Sequence, residues 1–184
     1  FTRLFAFNVV QGVANLASVS CGSCTSAAIQ LPGIPEQPSS VAYDTSGYPT
    51  ANTDFNHNLT TTQYDDVSGL LMQKVEASGT SSQRTTNITW DTALRVPLMR
   101  TMLDASGNTV AKTAWLYNTT GQTLARCEID PAIAAAASYT CANSGTVPVG
   151  VRRWTYTYCD AIDGTQCPLI GLLLSATGPR TDLT

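Results

Sequence analysis

Charge is what this chain has least of. Asp, Glu, Lys and Arg make up 12% of 184 residues, where roughly 25% is usual for a soluble domain. The basic residues are scattered and Arg152-Arg153 is their only adjacent pair. With a net charge of −3, that leaves no electrostatic footprint for nucleic acid. Histidine is nearly missing too, His57 being the only one. Long apolar runs are absent: 132–137 and 169–174 are the longest, far below the roughly eighteen residues of a membrane-crossing helix. The first residues lack the charged start, apolar middle and small-residue cleavage site of a leader. Phe1 is not a natural start, so the chain reads as a piece of something longer.

Thr, Ser, Asn and Gln carry the polarity instead. Thr suits a pleated surface, and Ser and Asn suit its turns. A turn phrase recurs. Tyr43-Asp44-Thr45-Ser46-Gly47 is followed by Tyr64-Asp65-Asp66-Val67-Ser68-Gly69, then Leu103-Asp104-Ala105-Ser106-Gly107 and Tyr117-Asn118-Thr119-Thr120-Gly121. Asp and Asn can bond the backbone two residues on, and Gly accepts positive φ, which together suit a type I turn closed by a Gly bulge. The expected fold is therefore all-β, an extended antiparallel sheet of successive hairpins with at most one short helix. Residues 130–137 are the best helical stretch, Pro131 fitting a first turn; a helix over 13–19 is the other. Two regions are expected: 1–40, with strands and a connector carrying Pro and Cys, and 41–184, the hairpin array. The strand at 169–176 has little polar alternation and reads as covered on both faces. The spacing of the phrases is too irregular for a solenoid of fixed period.

Six cysteines suggest local bridges Cys21–Cys24, Cys127–Cys141 and Cys159–Cys167, one of fifteen connectivities. Such bonds persist in oxidising compartments. The alternatives at Cys21-Gly22-Ser23-Cys24 are zinc or redox chemistry. Zinc would need a second pair of ligands, and a redox dithiol would need a helix where Pro32, Pro35 and Pro38 lie.

Catalysis has little to build on. His57 near Asp54 is the only opening for a triad, but Asn56-His57-Asn58 reads as a turn. Asp65-Asp66 are neighbours, poorly placed for joint acid–base work on a strand, and calcium is the remote alternative. No phosphate loop, metalloprotease helix or nucleophile elbow is present. The expectation is a non-enzyme without cofactor. Trp90, Trp115 and Trp154 open a second reading, a carbohydrate-binding or cell-surface adhesion module with exposed rings. Against it stands the reading in which these rings pair across strands and fill the buried face.

Tyr43-Asp44-x-x-Gly47, then Thr53-Asp54-Phe55-Asn56-x-Asn58, then Thr-Thr-x-Tyr64-Asp65, resemble the YD repeats of bacterial Rhs proteins. The likeness covers roughly 41–184, with His57 where the family commonly has Gly, and a tail from Gly178 to Asp182 similar to phrases between repeats. The resemblance implies a secreted or bacterial cell-surface protein, whose repeats wind into a hollow β-shell around a C-terminal toxin. Its partners would be the enclosed toxin domain and the rest of the same polypeptide or further copies. The repeat-turn residues are then Tyr43, Asp44, Gly47, Tyr64, Asp65, Gly69, Asp104, Gly107, Tyr117 and Gly121. The self-cleaving Asp-Pro segment of many relatives is not matched, since Asp130-Pro131 runs on into Ala-Ile-Ala.

Overall fold

A computed structural model describes residues 3–21, 39–54 and 56–179. The strands are β1 (Arg3–Val10), β2 (Val13–Cys21), β3 (Ser39–Tyr43), β4 (Pro49–Thr53), β5 (Leu59–Tyr64) and β6 (Leu71–Glu76). They continue as β7 (Arg84–Asp91), β8 (Val96–Leu103), β9 (Thr109–Tyr117), β10 (Thr123–Ile129), β11 (Val151–Tyr158) and β12 (Leu173–Thr177), with one helix, α1 (Ala134–Ala137). All twelve strands lie in one open antiparallel sheet whose order is the order of the chain. Where a short hairpin link joins two strands, each meets its predecessor before any other; β10 and β11 pair in the same way across the longer stretch 130–150.

The chain falls into two compact units, Phe1–Thr86 with Asp104–Gly107, and Asn87–Leu103 with Asn108–Thr184. In the first, β1 and β2 are joined by Gln11 and Gly12 at φ 51 and 80. This two-residue turn, with both φ positive, matches the twist of the strands it joins. The helical alternative for residues 13–19 therefore gives way to a strand: Val10 pairs Val13 and the ladder runs back to Arg3 opposite Cys21. Among the described residues of this unit only Leu70 is a buried hydrophobic.

The second unit has a real core. Ala125, Cys127 and Ile129 of β10 are buried with Ala136 and Cys141, and Ala114, Leu116, Ile133, Tyr139 and Val151 pack around them. Alternate residues of a strand share a face, so one side of β9, β10 and β11 is dry. The stretch between β10 and β11 lies on it. The expected helix over 130–137 shrinks to the four alanines of α1, because Asp130 Oδ1 captures the Ala132 amide at 2.9 Å and makes a turn first. No acidic residue occupies the first turn of α1, so packing rather than propensity holds it.

Candidate functional site

The repeated turns share one construction. The Asp44 amide donates to Tyr48 O at 2.9 Å and the Gly47 amide to Asp44 O at 3.2 Å, while Asp44 Oδ1 accepts the amides of Ser46 and Tyr48, both at 2.9 Å. Asn118 repeats this with Thr120 and Gln122, and its side-chain amide donates to Gln122 Oε1 at 2.7 Å. Asp104 holds the Ser106 amide at 2.9 Å. Asp65, with one more residue in the turn, holds the Ser68 amide and hydroxyl, both at 2.7 Å. Gly47, Gly69, Gly107 and Gly121 close these turns at φ between 68 and 88. The ladder slips by one residue beside them, at Ala42/Tyr43, Gln63/Tyr64 and Met102/Leu103. That slip is the bulge a left-handed closing residue creates.

His57 completes the same turn where glycine is absent. It sits at φ 62, its amide donates to Asp54 O at 3.0 Å, and Asp54 Oδ1 accepts the amides of Asn56 and Asn58, both at 2.8 Å. A Cβ in the left-handed region costs about 1–2 kcal/mol, so His57→Gly is expected to raise the unfolding midpoint by an equivalent amount in chemical denaturation. One further turn escapes sequence reading. Asp91 Oδ1 holds the amides of Ala93 and Leu94 at 3.0 and 2.9 Å, and Arg95 takes the left-handed position at φ 57. The Asp was the available signal; an arginine in the glycine slot hid it.

The carboxylates of Asp54, Asp65 and Asp163 sit below the ordinary Asp value. For Asp54 the chief cause is the Asn58 side chain, for Asp65 the Ser68 hydroxyl, and for Asp163 the backbone amide of Cys167. These hydrogen bonds favour the charged form. With folded values depressed, the stabilisation is present above the unfolded Asp value near 3.8 and is lost as pH falls through the lowered ones. Thermal melts should thus soften below about pH 4. Asp163→Asn should flatten that acid limb by lowering stability at pH 7 rather than by raising it in acid, the turn itself persisting because, as at Asn118, an amide oxygen serves it.

Tyrosines at strand ends reach back across the sheet. Tyr43 Oη donates to Leu16 O at 2.9 Å, Tyr117 Oη to Pro97 O at 3.1 Å and Tyr158 Oη to Thr123 O at 3.0 Å. Each links a hairpin to the strand before it. Tyr64 instead stacks on Tyr48, centroids 4.9 Å apart. Burial raises the Tyr117 phenol above its ordinary value.

The cysteines close two loops. Cys127–Cys141 ties the stretch after β10 onto that strand, and Cys159–Cys167 closes the turn built on Asp163. The Cys21–Cys24 pair lies outside the described residues, as do the prolines of the connector and residues 180–182 of the tail. Arg153, opposite Cys127, secures the same covering stretch. Its guanidinium donates to the carbonyls of Ser144 at 2.7 Å and Gly145 at 3.0 Å, and also reaches Tyr139 Oη and Ala142 O. Lys112 Nζ donates to Ala137 O at the end of α1.

The tryptophans lie elsewhere than expected. Trp115 and Trp154 both pair with Arg126, so they share the face opposite the Cys127 core, and the Arg126 guanidinium lies 4.9 Å from the Trp154 ring centre. The buried face is filled by Ala, Cys and aliphatic side chains rather than by these rings. Trp90 is half-buried. Beside this row, Arg100 pairs Thr113, Thr113 pairs Glu128 and Glu128 pairs Arg152. Glu128 binds Arg126 at 2.5 Å and Arg152 at 2.8 Å. An open groove of about 630 Å³ runs along this row.

The strand expected to be covered on both faces is not. β12 is exposed throughout, and Leu169, Ile170, Leu172, Leu173 and Leu174 all face solvent. At the other end, Leu4, Phe5, Phe7 and Val9 of β1 are exposed as well. β1 pairs only with β2, and β12 only with β11. Among the described residues nothing buries these side chains.

His57 is exposed in its turn, and Asp65 is engaged with Ser68 while Asp66 faces solvent. Among the described residues no group of three or more His, Cys, Asp or Glu side chains is placed to hold a metal. No described helix is long and apolar enough to cross a membrane. No protein-family model matches the chain, and no curated protein does either.

Proposed function

We propose that this chain is a wall segment of an Rhs-type protein of the bacterial surface or secretome, containing a toxin domain rather than transforming a substrate. One observation carries the reading: strands run in chain order between two terminal strands, β1 and β12, whose apolar side chains are exposed. A sheet of this kind extends by adding the next hairpin, and exposed apolar edge strands are normally paired or covered. Repeated Asx turns and tyrosine links suit a surface that must be long and regular, and the cystines suit an oxidising destination.

Isolation of the native polypeptide that contains this segment tests the role. Limited proteolysis should release flanking strand-repeat fragments and leave a downstream domain resistant until the wall is denatured. A native polypeptide without further hairpins of this type, or one whose downstream domain is cleaved first, would overturn the assignment.

A further inference from the structure

Among the described residues, Tyr48 and Tyr64 are the one pair of tyrosines in ring contact. Their ring centres lie 4.9 Å apart and their planes 22° from parallel. The ladder between β4 and β5 explains the meeting. Ala51 pairs Thr61, Asn52 pairs Thr60 and Thr53 pairs Leu59, and the same register carried back along β4 sets Tyr48 opposite Tyr64. The Asp54 turn closes this hairpin at one end, and the two rings stand at the other. Beside them the Thr62 hydroxyl donates to Pro49 O. Gly69 leaves the space: a Cβ there would lie 2.2 Å from Tyr48 Oη and 3.5 Å from Cε1, a ring carbon ortho to the hydroxyl. Both tyrosines are half-buried, so neither is sealed from solvent. Other tyrosines are engaged differently. The hydroxyls of Tyr43, Tyr117 and Tyr158 donate to backbone carbonyls, and Tyr139 Oη accepts from Arg153.

We propose that Tyr48 and Tyr64 are an oxidative cross-linking site, joined as dityrosine by a haem peroxidase with hydrogen peroxide. Each phenol gives up an electron and its hydroxyl proton. The two radicals couple through ring carbons ortho to the hydroxyls, forming one carbon–carbon bond. The hydrogens at those carbons then move to the oxygens and restore both hydroxyls. Hydrogen peroxide takes up the electrons and protons that were lost and leaves as water. An offset stack sets ring edge against ring edge, and partners held in this way react far faster than the same groups meeting by diffusion. The bond closes the open end of the β4–β5 hairpin, in a unit where Leu70 is the one buried hydrophobic among the described residues. A cross-link restricts the unfolded chain, so this staple stabilises the hairpin without a larger core.

Treatment of the whole chain, at low protein concentration, with a haem peroxidase and hydrogen peroxide tests this. Dityrosine fluorescence should appear in the monomer band of a denaturing gel, and peptide mapping should place the linkage between Tyr48 and Tyr64. Tyr48→Phe and Tyr64→Phe each keep a ring for the stack but have no phenol to oxidise. Each should lower the dityrosine yield within the monomer about tenfold or more, with far-UV circular dichroism unchanged. Tyr156→Phe should react as the parent does. Treatment should raise the denaturant midpoint of the parent and leave that of Tyr64→Phe where it was. Absence of dityrosine, linkage only between molecules, a yield that survives Tyr48→Phe, or an unchanged midpoint in the linked parent would each overturn the proposal.

Discussion

Replacing Cys141 with Ser is expected to cost about 3 kcal/mol of stability, the loop-closure contribution of a bridge spanning 14 residues. The effect extends beyond the bridge. Cys127 is fully buried at the centre of the only core cluster found among the described residues, and the stretch that Cys141 anchors is what keeps it dry. Once the tether is cut, the stretch is held by Arg153, through the carbonyls of Ala142, Ser144 and Gly145, and by Lys112, through Ala137 O. Cys141→Ser with Arg153→Ala should then lose more than the sum of the two single variants, because both ties restrain the same segment. Denaturant unfolding read by tryptophan fluorescence checks this. Reductant should lower the midpoint of the parent protein and leave Cys141→Ser far less affected. An additive double variant would mean that the stretch stays seated without either tie.

The second large effect is expected at Gly69. Its φ of 68 already disfavours a side chain, and a Cβ there would lie 2.2 Å from Tyr48 Oη. Gly69→Ala must therefore adopt a left-handed backbone, costing about 1–2 kcal/mol. It must also push Tyr48 off Tyr64, forfeiting a ring pair worth about 0.5–1.5 kcal/mol. Gly107 closes the equivalent turn at φ 83 with open space around it. Gly107→Ala should show the backbone cost only. The difference between the two variants isolates the tyrosine stack, and Tyr48→Phe in the Gly69→Ala background should recover part of it by removing the colliding oxygen. Equal losses at the two glycines would show that Tyr48 yields freely.

The fold was legible where local chemistry decides it. Asp44, Asp65, Asp104 and Asn118 announce their turns because the carboxylate or amide acts on amides two to four residues away, within the same short stretch of sequence. The bulges follow from the glycines that close those turns. The pairs Cys127–Cys141 and Cys159–Cys167 were legible for the same reason, each bracketing a reversal. What was hidden depends on contacts between strands. The hairpin at Asp91 was masked because Arg95 takes a backbone conformation that its identity does not advertise. Placing Trp154 on the open face requires knowing which side of β11 the stretch after β10 returns to, and the alternation of Val151 to Tyr158 is symmetric in that respect. Arg153 looks like a solvent-facing residue in the sequence, yet it spends its guanidinium on the carbonyls of the covering segment. The apolar run ending in β12 was read as covered because it has little polar alternation; among the described residues it is bare.

A wall segment requires that its bare terminal strands meet a further strand. Multi-angle light scattering over a broad concentration range, on the parent chain and on a variant carrying Leu173→Lys and Ser175→Pro in β12, addresses that directly. Lysine and proline block the addition of a strand to an edge. The parent is expected to associate with rising concentration, and the variant to remain a monomer with unchanged circular dichroism. A parent that is monomeric at every concentration, with β1 and β12 amides already slow to exchange, would contradict it.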